Sequence, residues 1–362
     1  VVFGTKVVEV ATFRAEAEVT RPPGGPAGDR KAKERPDPGR AGASPHTLLV
    51  TWENTFGTPE QDAKRRDFTI NALFYDISSY SLIDYVQGLK DLHRGMIRTI
   101  GDPDIRFQED PVRMMRAVKF AARLEFRIES RTYASMRRHA AAIQLSAPPR
   151  VLEEIYRLLG SGKARKSFGL LHESGLLPHL IPEVASALKS DPQPTWSILD
   201  QLDRLMEQGA EPVSRALQMA TLLDQVVRRE CLEPAGPGDN LGERIQRVIR
   251  PLAQRLRMTR ADTARMQQIF LAQRRFTLPK ARRLSVNAFL KRGYFADSFQ
   301  LFRMHALSTG EHQEDVASWE KRRHGVLTAE EIKPARERRR RMGAGRGRRR
   351  RRSRGGRVRT RS

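Results

Sequence analysis

The run RRDFTINAL at 65–73 sets two guanidinium groups beside a carboxylate, with an amide four residues on. Arginine forks match phosphate oxygens two at a time, and asparagine offers both a donor and an acceptor to a sugar hydroxyl or base edge. Arg66 and Asn71 are therefore candidate nucleotide contacts. If residues 68–75 are helical, Asp67 caps the helix and Asn71 lies one turn on, on the same side. An N-capped amphipathic helix with flanking ion pairs would read the same way. In a second run, RFQEDPVRMMR at 106–116, Glu109, Asp110 and Arg113 cluster at a helix start, and a carboxylate beside an arginine is a donor–acceptor edge able to pair with a base. Arg113, Arg116, Lys119 and Arg123 fall within an arc of roughly 120° at helical spacing, opposite Met114, Val118, Ala121 and Ala122. One face would pack and the other meet phosphates, or simply lie in water. A third candidate is Glu9, which as a strand residue shares a face with Val7, Ala11 and Phe13. An acid on such a face is paired, bound to a cation, or at an edge reaching water.

These side chains need elements to hold them. Residues 1–14 read as a β-hairpin, two valine-rich runs about Gly4-Thr5-Lys6. Residues 21–46 are rich in Pro, Gly and charge, a flexible insertion. Over 67–86 a short helix (TINALFYDI) is expected to precede a strand (SLIDYV), ended by Gly88. Asp110-Pro111 is a helix-start signal, a capping side chain followed by a residue with no N–H to satisfy. Further helices are expected near 132–143, 149–159, 163–174, 195–207, 212–228, 241–257, 260–273, 285–292 and 294–307. The fold class is α+β, with domains at 1–90, 91–160 and 161–332 and a disordered basic tail at 333–362.

The 362 residues carry a formal net charge of +25, which favours a polyanionic partner, nucleic acid or a membrane surface. From residue 333 onward sixteen Lys/Arg face one acid, Glu337, and so polar and charged a segment should stay solvated. A single cysteine, Cys231, excludes an internal disulfide. No apolar run reaches membrane-spanning length and no signal peptide is seen, so a cytoplasmic protein is expected. The opening Val, already in strand-like sequence, suggests a chain that begins within a domain. The sequence has no GxxxxGK[ST] loop, and its eight histidines have no metal-ligand spacing.

Taken in order, the clusters resemble the class II nucleotidyltransferases, the family of bacterial poly(A) polymerases and tRNA CCA-adding enzymes. RRDFTINAL is similar to that family's ribose/nucleotide motif, EDPVRMMRAVKFAARL at 109–124 to its neck-helix motif, and the stretch from Asp84 between them to the expected linker. The resemblance covers 1–14 and 52–180 clearly and 195–325 more loosely. EVATFR followed by a long polar insertion, then NTFGTPEQDAKRRDFTINALFYD, resembles the poly(A) polymerase branch. It implies a nucleotidyltransferase head, a helical neck and body, and attack of an RNA 3′-hydroxyl on the α-phosphate of ATP in mRNA processing and decay. Arg66 would hold phosphate, Asn71 ribose, and Glu109, Asp110 and Arg113, with Arg116 beside them, the adenine edge. Asp67 and Glu9 would be catalytic acids, Glu9 also a metal ligand with Mg²⁺ as the ion. Lys119, Arg123 and the tail residues Arg348, Arg349, Arg350, Arg351 and Arg352 would hold single-stranded RNA 3′ ends. A monomer is expected. The family's paired metal-binding aspartates should lie upstream of Val1, which would leave this chain nearly inactive alone. CCA addition to tRNA, or a noncatalytic RNA-binding remnant, are the alternative readings.

Overall fold

The computed structural model describes residues 2–3, 6–7, 11–14, 56–209, 213–232, 240–277, 286–323 and 325. Glu9, the insertion at 21–46 and the arginines from 348 to 352 lie outside them. Two compact units divide the chain, Val1–Leu145 and Ser146–Ser362. The helix at 148–159, assigned from sequence to the same domain as 91–145, thus falls in the second unit. The fold is α+β, mostly helical with short strands.

The first unit opens with strands β1 (Val2–Phe3) and β2 (Lys6–Val7), paired antiparallel about residues 4–5. Helix α1 (Pro59–Arg65) starts at a capping box. Thr58 accepts from the backbone of Gln61, whose side chain accepts from the Thr58 N–H, so two orphan donors are satisfied reciprocally. The helix expected over 68–75 does not form. Thr69–Asn71 makes one 3₁₀ turn, and Leu73–Asp76 is a strand, β3, paired antiparallel with β4 (Ser81–Asp84), Tyr75 opposite Leu82. Aromatic Phe74 and Tyr75 suit a pleated surface. The connecting turn is closed by the Asp76 carboxylate, which accepts from the Ser78 N–H and hydroxyl and the Ser79 hydroxyl. These bonds hold that carboxyl down at about 2.

Helix α2 (Gly88–His93) follows. The Asp84 carboxylate accepts from the backbone of Val86, Gly88 and Leu89 at 2.9–3.0 Å. Burial pushes this carboxyl up, but these donors outweigh it and the net shift is downward. A Cβ on Gly88 would sit 2.2 Å from the Thr69 carbonyl oxygen, and backbone cannot move aside cheaply. Gly88→Ala is therefore expected to destabilise by about 1–3 kcal/mol, as overpacking does, read as a fall in the urea midpoint. An unchanged midpoint would show that the 3₁₀ turn yields.

Strand β5 (Met96–Ile97) pairs in parallel with β6 (Arg127–Ile128). Helix α3 (Pro103–Glu109) is capped by Asp102, α4 (Val112–Leu124) buries Met114, Met115, Ala117, Val118, Ala121 and Ala122 on one side, and α5 (Ser130–Arg138) is capped by Glu129.

The second unit is helical among its described residues. It contains α6 (Pro148–Leu159), α7 (Ala164–Glu173), α8 (Leu177–Leu180), α9 (Pro182–Ser190), α10 (Gln193–Gln208), α11 (Arg215–Val227), α12 (Leu241–Arg255), α13 (Arg260–Thr277), α14 (Val286–Leu290), α15 (Phe295–Thr309) and α16 (Gln313–Arg323). An aromatic cluster of Phe276, Phe289, Phe295, Phe299, Phe302 and Trp319 ties its last helices together. Phe276 and Phe302 stack at 4.9 Å, and the Trp319 indole donates to the Phe276 carbonyl, so its one polar atom is satisfied in the core. No helix among the described residues is long and apolar enough to cross a membrane.

Candidate nucleotide-binding site

In the first unit the segment that carries Asp67 is clamped between two backbone bonds, Thr69 N–H to the Arg98 carbonyl and Ile100 N–H to the Asp67 carbonyl, both 3.0–3.1 Å. Between them Phe68 is fully buried and meets Phe120 of α4 edge to face at 5.8 Å. The backbone around Asp67 cannot shift without moving the core.

Its carboxylate is buried and accepts three bonds: from its neighbour Phe68 N–H at 3.0 Å, from the Asn71 amide at 3.0 Å and from Arg116 Nε at 2.5 Å. The structure thus brings Asp67 and Asn71 together, although through a 3₁₀ turn and not through a helix. It also joins the two sequence runs, since Arg116 lies on α4. Arg116, expected at the nucleotide, is spent on this ion pair while its guanidinium stays partly exposed.

Arg66 is equally fixed. Its Nε and Nη2 donate to Asp62 at 3.0 Å, its Nη1 donates to the Asn71 carbonyl at 2.7 Å, and its plane lies 4.9 Å over the Phe74 ring. Burial raises the Asp62 carboxyl, but Arg65, Arg66 and the Arg14 N–H bring it below its ordinary value, so it is the anion that holds both arginines. Arg66 remains 40% exposed, enough to present one edge of the fork to an incoming phosphate.

Arg106, named in the second run but given no role there, turns out to be the bolt between the runs. Buried on α3, it donates Nη2 to the carbonyls of Arg65 and Arg66 at 2.6 and 2.9 Å and Nη1 to Glu109 at 3.0 Å. A buried arginine in that position was invisible to charge patterning, which reads arginine as surface. Glu109 accepts in addition from Arg113 Nη1 at 2.9 Å, and Arg113 also donates to the Arg106 carbonyl. Exposed Glu109 and half-buried Arg113 are thus brought together as an ion pair. Asp110 serves the chain, its carboxylate accepting from Val112 N–H at 3.3 Å and its carbonyl from Arg113 N–H. Lys119 lies over the Phe120 ring at 5.2 Å, and Arg123 is exposed at the end of α4.

Among the described residues no group of three or more His, Cys, Asp or Glu side chains could hold a metal ion, and both Asp67 oxygens are engaged by donors. The described residues do not fit a metal. The arrangement sets a partly exposed guanidinium, an amide and a carboxylate–arginine pair on one frame, groups whose chemistry suits phosphate, hydroxyl and base-edge contacts.

A family model described as the poly A polymerase head domain matches residues 1–98, and one described as the probable RNA and SrmB-binding site of polymerase A matches residues 125–188. Over these segments the chain is similar to the poly(A) polymerases and CCA-adding enzymes. It is 41% identical over 184 residues to poly(A) polymerase I of Escherichia coli O6:H1, covering 51% of this chain and 36% of that one. It is 39% identical over 110 residues to a CCA-adding enzyme of Staphylococcus saprophyticus, covering 30% of this chain and 27% of that one. The chain thus spans about a third of the length of the curated relatives it matches. In fold it is similar to the Bacillus stearothermophilus CCA-adding enzyme solved with CTP, at TM-score 0.56 and 24% identity over 75% of this chain and 61% of that one.

Proposed function

We propose that this chain is the nucleotide-selecting and RNA-holding part of a template-independent RNA 3′-end adenylyltransferase, a poly(A) polymerase, working in the cytoplasm on single-stranded RNA 3′ ends. The observation that carries the reading is the junction of the two runs. Arg116 reaches across to Asp67 and Arg106 to the carbonyls of 65 and 66, so the phosphate- and ribose-facing residues Arg66 and Asn71 are rigid relative to the Glu109–Arg113 edge. Such preorganisation is what transfer chemistry with little covalent participation requires of a protein. A bidentate pairing to one base edge discriminates by about 1–3 kcal/mol, sufficient to prefer one nucleotide without a template.

ATP is the substrate in this reading, and Mg²⁺ the ion it would take for two-metal phosphoryl chemistry. Glu9 is a candidate ligand for it. Arg66 holds phosphate, Asn71 the ribose, and Glu109 with Arg113 reads adenine. Arg116 and Arg106 are positioning residues.

The test is extension of a single-stranded RNA primer by the whole protein with one nucleotide at a time. Long adenylate tails from ATP and none from CTP support the reading. Addition that uses CTP and stops after a few nucleotides supports tRNA CCA addition, which rests on the 39% identical CCA-adding relative. No extension by a protein that still binds RNA would identify a noncatalytic remnant.

A further inference from the structure

In the first unit, away from the Asp67–Arg116 junction, one surface carries cations whose own elements supply no balancing acid. Helix α2 exposes Lys90 and His93, and Arg94 follows at its end. The Arg127 N–H donates to the Gly95 carbonyl at 2.8 Å, and Arg127 stands opposite Met96 in the parallel pair of β5 and β6, so exposed Arg127 lies alongside the α2 terminus. Arg123 is exposed in the last turn of α4, four residues earlier. Among the described residues, Lys90, Arg94, Arg123 and Arg127 make no ion pair, whereas neighbouring Arg131 and Arg138 are paired with Asp102 and Asp104.

The acids of the same elements are turned inward. Asp91, the one acid of α2, is buried and accepts from the Thr69 hydroxyl at 2.8 Å and from Arg98 at 3.0 Å. Glu129, just past β6, caps α5 through Thr132 and pairs with Arg98. Exposed Glu125 is the one carboxylate close in sequence on the outer side. Leu89 and Leu92 of α2 and Leu124 of α4 are also exposed.

We infer that Lys90, Arg94 and Arg127 form a second phosphate-binding track that holds the RNA backbone behind its 3′ end. The inference rests on the RNA reading above. From the Arg113 edge to Arg123 the basic row of α4 runs ten residues, about 15 Å of helix, and the track continues from there. Unpaired arginines and lysines of this kind contribute salt-dependent, sequence-independent affinity.

The test is binding of a short single-stranded oligoadenylate to the full chain as salt is raised, for the wild type and for Lys90→Gln/Arg94→Gln/Arg127→Gln. These are exposed positions with no partner to lose, so the variant should fold. The expected result is affinity lower by roughly an order of magnitude, with the slope of log K against log salt reduced by about 2 for three lost phosphate contacts. ATP binding should be unchanged, and RNA should protect Lys90 but not exposed Lys189 of the second unit from acetylation. An unchanged slope with Lys90 unprotected, in a chain that binds RNA, overturns the track alone. A wild type that binds no RNA overturns the RNA reading with it. Loss of binding to anionic phospholipid vesicles with RNA binding intact would assign the surface to a membrane and overturn the track.

Discussion

Asp224→Ala is expected to destabilise the second unit by about 3–5 kcal/mol, the cost of removing one partner from a buried ion pair. Asp224 on α11 is 4% exposed. It accepts from Arg228 Nε at 2.9–3.0 Å and is 3.0 Å from His305 Nδ1 of α15, so one carboxylate ties two helices. Truncation leaves the largely buried Arg228 without its counter-charge. Burial pushes the Asp224 carboxyl up, but the Arg228 charge and the His305 hydrogen bond outweigh it and leave it below its ordinary value of 3.8. A carboxyl depressed in the folded state stabilises above its unfolded value, and that contribution is lost as pH falls through the folded one. The wild type should therefore lose stability on acidification below about pH 4, and Asp224→Asn should show a flatter acid limb from a lower starting point. Urea unfolding across that range measures both, and parallel acid limbs would contradict the assignment.

Asp67→Ala is expected to weaken the first unit by about 3 kcal/mol, since it leaves Arg116 and the Phe68 N–H short of a charged acceptor. The effect should be local before it is global. Hydrogen exchange at the Phe68 and Ile100 amides, one bonded to the Asp67 side chain and the other to its carbonyl, should accelerate most. ATP affinity should fall with it, because Asn71 and Arg116 lose their common anchor. A double-mutant cycle with Arg116→Ala isolates the pair, with an expected coupling of about 1–3 kcal/mol. Additive single effects would mean that the 2.5 Å contact does not join the runs in solution.

Much of this was legible in the residue order because short-range chemistry wrote it. Asp67 and Asn71 are four apart, and Glu109 and Arg113 are four apart, and each pair does meet. Most of the helices named from apolar periodicity form within a few residues of their expected ends. What periodicity could not see is where tertiary pairing overrode it. Leu73–Asp76 carries a run compatible with a helix, but the Asp76 turn and the partner strand Ser81–Asp84 draw it into a hairpin. Nor does apolar periodicity announce Pro182–Ser190 or Gln313–Arg323 as helices. The latter buries just Val316, Trp319 and Arg322, too thin an apolar stripe to announce a helix. The structural role of Arg106 is not legible in sequence because its partners are backbone carbonyls 40 and 41 residues away, a contact without any sequence spacing to betray it. The resemblance implies ligand contacts for Arg66 and Arg116, and the structure shows what else each guanidinium already holds.

In the proposed function the Glu109–Arg113 edge, held rigidly to Arg66 and Asn71, selects adenine. Equilibrium binding of ATP and of CTP to the chain and to Arg113→Ala tests it most directly. The wild type should prefer ATP by about 1–3 kcal/mol, the value of one good bidentate pairing, and Arg113→Ala should bind both nucleotides alike while keeping its phosphate contacts. A wild type that favours CTP, or a variant that retains the full preference for ATP, would contradict the account.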